Sequence, residues 1–120
     1  MNSIDKWLDK RYRRSVYTCS DFCREVWADL TGVDIAPALI GLLQAHDGRG
    51  LRREHVRHFK ALAEPLDPCL VVMQRPKSPV HLAIYIRGKV LQITERGVEF
   101  SEIHVATQFH KSYRFITCTP

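Results

Sequence analysis

The sequence predicts an α+β fold, with helices first and an antiparallel sheet second. Two observations carry this. In the first half, apolar residues recur at helical spacing, as Phe22, Val26 and Leu30 do. Beyond Pro65 and Pro68 they form short blocks or alternate, and turn residues bound each block. Helices followed by strands, rather than the two interleaved, is the pattern of α+β architecture.

Residues 3–12 are expected to form a short helix, capped by Ser3, with Ile4, Trp7 and Leu8 at helical spacing. Residues 13–18 have no period and read as a loop. A second helix is expected over 20–30. Phe22, Val26 and Leu30 make one stripe, Cys23 and Trp27 lie beside it, and Gly32 closes it. Asp21 and Glu25 near its start suit the positive end of the helix dipole. Residues 37–45 read as a short apolar helix and "HDGRG" as a loop. Residues 51–63 read as a basic helix burying Leu51, Phe59 and Leu62. "CLVVM" (69–73) is a buried strand, followed by the stiff loop "QRPKSP". "VHLAIYI" (80–86) and "VLQIT" (90–94) flank a turn around Gly88 and form the clearest hairpin. "SYRFIT" (112–117) supplies another strand and "GVEF" a short one.

The 120 residues are expected to form one domain, 1–120. No apolar run approaches the ~20 residues that cross a bilayer, so no membrane span is expected. The start, "MNSIDKWLDKRYRR", lacks the apolar core of a secretory signal. The chain is therefore expected to be made in the cytoplasm, with its four cysteines reduced. Its net charge of +5 is concentrated in "KRYRR" (10–14) and "RGLRREHVRHFK" (49–60). Such stretches suit nucleic acid, anionic lipid or an anionic cell-wall polymer, or are a solvated helix face. A basic nucleic-acid-binding module is an alternative, but no helix-turn-helix, RNP or zinc-finger signature accompanies the charge. Cys19, Cys23, His55 and His58 compose a zinc alternative. The cysteine pair has suitable spacing, but two residues separate the histidines and their neighbours are cationic. No metal or cofactor is expected.

Cys19 and Cys23 differ by location. Cys19 sits at the mouth of the second helix, where unpaired backbone N–H groups favour a thiolate. Cys23 lies one turn deeper, beside the apolar stripe, and is read as packing. A nucleophilic thiol needs a base, and His81 is the candidate because it lies within the best strand. His81, Ala83, Tyr85 and Arg87 face one way, and the core residues Val80, Leu82, Ile84 and Ile86 the other. Small Ala83 is expected to leave room above the sheet. If Tyr85 opposes Val90, then Gln92 opposes Ala83. It is then the diagonal neighbour of His81 at roughly 7–8 Å, within side-chain reach. A two-residue Gly88–Lys89 loop would shift Gln92 opposite Tyr85, and a three-residue loop would move it to the other face. On spacing alone, a core cysteine and a half-buried, hydrogen-bonded histidine explain the same residues.

The sequence resembles the NlpC-type papain-like cysteine peptidases of bacterial and phage cell-wall endopeptidases. "CSDFCREVWADLTG" resembles the family's nucleophile helix, "DPCLVVM" the strand before the histidine segment, and "PVHLAIYIRGKVLQIT" the histidine hairpin. The short build with a leading Trp-containing helix is similar to the phage-tail versions. Cysteine before histidine is the peptidase order, not that of the permuted lipid acyltransferases. The resemblance spans roughly residues 5–117, with a featureless centre. It implies a papain-like fold of N-terminal helices packed on a C-terminal antiparallel sheet. It also implies thiol-dependent hydrolysis of an amide bond in peptidoglycan stem peptides, after delivery by a virion or export apparatus. Phage-tail or secretion-system proteins are the implied partners. Cys19 is then the nucleophile, His81 the general base and later acid, and Gln92 the orienting group, with the Cys19 N–H on the oxyanion. Tyr17 is expected to line the substrate cleft. Thr18, Asp21, Ala83 and Gln92 stand where many members have Asp, Gly, Gly and His. Gln92 keeps the hydrogen bond but cannot become cationic. A degenerate, non-catalytic structural or binding protein of the same fold is the alternative.

Overall fold

The computed structural model describes residues 4–36, 59–74, 80–110 and 112–118. They form a small α+β fold around a six-stranded antiparallel sheet. A 3-10 turn, Ile4–Trp7, comes first, followed by α1, Cys19–Thr31. The strands are β1 (Phe59–Leu62), β2 (Cys69–Gln74), β3 (His81–Ile86), β4 (Lys89–Thr94) and β5 (Gly97–Ser101). A one-turn helix, α2 (Ile103–Ala106), leads to β6 (Ser112–Cys118). The sheet order is β1-β6-β2-β3-β4-β5, so the last strand inserts between the first two.

Alternation gives the sheet two different faces. Leu70, Leu82, Ile84, Leu91, Ile93 and Ile116 meet Phe22, Val26 and Trp27 of α1, and Trp7 closes one end of this main core. On the other face Val71, Met73, Ala83 and Val90 form a smaller cluster with Ala106 of α2. Ala83 is fully buried there. The space expected above it is filled, because the unforeseen α2 segment covers that face.

α1 matches the expected helix, with Cys19 as its first residue and Gly32 ending it at φ +77°. That left-handed angle strains any residue with a Cβ. The β3–β4 connection is the two-residue loop Arg87–Gly88, with positive φ at both positions. Such loops twist with the strands they join. Tyr85 opposes Val90, the register that brings Gln92 toward His81.

Two expectations differ from the structure. The first helix is a single 3-10 turn, and Leu8 beyond it is exposed. Helix was expected through residue 63, but Phe59–Leu62 is a strand paired with Cys118–Phe115 of β6. Pairing along the outer edge of β6 outweighs the weak local preference of this segment. The rest of that expected helix (51–58), the apolar piece 37–45 and the loop 75–79 lie outside the described residues. No helix among the described residues is long and apolar enough to cross a membrane.

Candidate active site

A tight loop delivers the chain to the candidate nucleophile. Arg13 and Tyr17 exchange backbone hydrogen bonds of 2.8 and 2.7 Å around Ser15, whose φ is +63°. The Tyr17 hydroxyl donates to Glu25 Oε2, and Lys10 Nζ lies 2.8 Å from Glu25 Oε1. Tyr17 is therefore half-buried and tied to the flank of α1. Burial, followed by the Glu25 carboxylate, pushes its hydroxyl pKa well up. The Thr18 N–H donates to Asp21 Oδ2 at 2.9 Å, and the Phe22 N–H reaches the Thr18 carbonyl at 3.0 Å. This cap starts the helix at Cys19 and leaves the N–H of Cys19 outside the intrahelical ladder.

Where Cys19 points follows from the sheet. The residues flanking a two-residue hairpin loop form a hydrogen-bonded pair, and such pairs recur at every second position. The Leu82 N–H is thereby aimed toward β4. The β3–β4 ladder, however, ends at Ile84↔Leu91. There the Leu82 N–H acts on the Cys19 thiol and pulls its pKa down. The thiol thus lies against β3 at the residue that follows His81.

Opposing influences act on that thiol. Burial is the largest and pushes its pKa above the ordinary value. The N–H groups of Leu82, Ser20 and Cys19 itself pull it down, and the Asp21 charge raises it. The helix start does favour the thiolate, as expected, but burial outweighs it. Cys23 is fully buried in the main core, and burial also pushes the Cys69 thiol up.

His81 Nε2 lies 2.8 Å from Gln92 Oε1. A carbonyl oxygen accepts, so Nε2 carries the proton and Nδ1 is left as the basic nitrogen. Gln92 is only 4% exposed, which fixes its amide in place. The structure also brings in a residue that was not among the sequence candidates. The His110 ring stacks on His81, with centroids 5.8 Å apart and planes 18° apart. His110 follows α2 in an irregular segment, where no periodicity marks a residue as facing the sheet.

A cleft of about 480 Å³ opens beside this group, between β4–β5 and the segment from α2 to His110. Gln92 and His110 line it, whereas Cys19, His81 and Tyr17 do not. Among the described residues no group of three or more His, Cys, Asp or Glu is placed to hold a metal. His55 and His58 of the zinc alternative, and most of the second basic stretch, lie outside the described residues. Neither the protein-family models nor the curated proteins compared with the chain match it.

Proposed function

We propose that this chain is a thiol peptidase with a papain-like, NlpC-type fold that hydrolyses an amide bond in peptidoglycan stem peptides. The reading rests on two observations at the start of β3: Cys19, the first residue of α1, has its thiol pKa pulled down by the Leu82 N–H, and His81, the residue before Leu82, has its Nε2 2.8 Å from Gln92 Oε1. The motif resemblance supplies the substrate class.

In the proposed reaction the Cys19 proton passes to His81 Nδ1 as sulfur attacks the amide carbon. The N–H of Cys19 stabilises the oxyanion. The C–N bond then breaks, and His81 delivers its proton to the leaving amine. Water, deprotonated by His81, attacks the thioester and releases the acid and the free thiol. Gln92 holds the imidazole in the required tautomer throughout.

One observation favours a second reading, a non-catalytic member of the same fold: burial disfavours the Cys19 thiolate. Incubation with defined muropeptides, read by mass spectrometry, separates the two. Peptidase action gives paired cleavage products with the unsubstituted protein and none with Cys19→Ala. Intact muropeptides with both proteins would favour the binding role.

A further inference from the structure

The cleft beside His81 has features that the proposed dyad chemistry does not use. Gln92 and His110, both in contact with the His81 ring, form its inner end. Gln92 pairs across strands with Glu99, which places both on the face under the 103–110 segment. Two apolar side chains at the mouth, Val105 and Phe109, are 45% and 74% exposed. Arg96 also lines the cleft; its guanidinium makes a long 3.7 Å contact to Glu99, and its side chain is 84% exposed. Exposed apolar side chains are ordinary when single. Here two line the same cleft, a cation lines it with them, and the volume suits a short peptide.

We propose that this cleft binds the leaving-group half of a peptide substrate, with an apolar side chain against Val105 and Phe109 and a carboxylate on Arg96. The assignment rests on the thiol-peptidase reading, because it is His81 that would hand a proton to the leaving amine. Neither Cys19 nor His81 lines the cleft, but both ring partners of His81 do, so the cleft lies on the histidine's side and serves the amine half rather than the acyl half. Glu99 competes with the substrate carboxylate for Arg96. It selects for a ligand anion strong enough to displace it.

The test uses the full chain carrying Cys19→Ala, titrated with leucyl-alanine and with leucyl-alanine amide, each in L and D forms, and followed by NMR. At least one free-carboxylate form should give saturable shifts at Gln92, Phe109 and His110, and bind roughly three- to tenfold more tightly than its amide. Arg96→Ala should abolish that preference, Phe109→Ala should weaken both forms alike, and Glu99→Gln should strengthen the carboxylate form alone. No saturable shift from any of the four ligands overturns the proposal, as does a carboxylate preference that survives Arg96→Ala. Cleavage by the unsubstituted protein is scored separately. Muropeptide hydrolysis without cleft binding sinks this inference alone, and cleft binding without hydrolysis sinks the peptidase reading and leaves a peptide-binding cleft.

Discussion

Asp21 acts on its neighbours in two opposing ways. Its carboxylate accepts the Thr18 N–H and places negative charge at the positive end of α1, both stabilising. The same charge raises the Cys19 thiol pKa and so disfavours the thiolate. Asp21→Asn keeps an acceptor but loses the charge. Stability in urea should fall by roughly 0.5 kcal/mol, while alkylation of Cys19 by iodoacetamide at pH 8 should become faster. Unchanged or slower alkylation would show that burial alone governs the thiol. Gln92 works differently, through a neutral hydrogen bond that selects one tautomer of His81.

At the level of elements, α1 and the β3–β4 hairpin were the most legible. Phe22, Val26 and Trp27 repeat at helical spacing and all enter the core, and Gly32 stops the helix where a left-handed residue is needed. Parity fixed the face of Gln92 but not the hairpin register, which a Gly88–Lys89 turn would have shifted by two residues. An even loop places Gln92 on the face of His81, and the Arg87–Gly88 turn meets that condition. Parity could not tell that the ladder ends at Ile84↔Leu91, before Leu82, whose N–H acts on the Cys19 thiol. β1 was read as helix because four residues carry little periodic signal and their strand partner, β6, lies more than fifty residues away. α2 and His110 were missed for a related reason. A single helical turn and the irregular chain after it are positioned by packing against the sheet, not by local preference.

Across the whole molecule, two carboxylates of α1, Glu25 and Asp29, link the N-terminal segment to the helix that carries Cys19. Glu25 accepts from the Tyr17 hydroxyl and pairs with Lys10, while the Trp7 indole N–H donates to Asp29 Oδ2 at 2.9 Å one turn further along α1. The bonds from Lys10 and then Tyr17 hold the Glu25 carboxyl pKa below the usual carboxylate range. A carboxyl lowered on folding stabilises the fold above its unfolded pKa, near 4.5, and that stability is lost as pH falls through the lower folded value. Glu25→Gln should therefore lower the urea midpoint at pH 7 and approach the unsubstituted protein as pH drops toward 3. A constant gap from pH 7 to 3 would mean that the ionised carboxylate contributes nothing to the junction.

The proposed peptidase activity requires Cys19 and His81 to act as one proton-sharing unit. The pH profile of Cys19 alkylation, measured by mass spectrometry on the unsubstituted protein and on His81→Ala, tests this without any assumption about substrate. With His81 present, the rate should show an inflection near the imidazole range, roughly pH 6.5, as the thiol proton moves to the ring. In His81→Ala that inflection should be lost and the reaction should wait until pH passes the ordinary thiol value of 9.0, because burial pushes the thiol up and no ring remains to take its proton. Superimposable profiles for the two proteins would contradict the account.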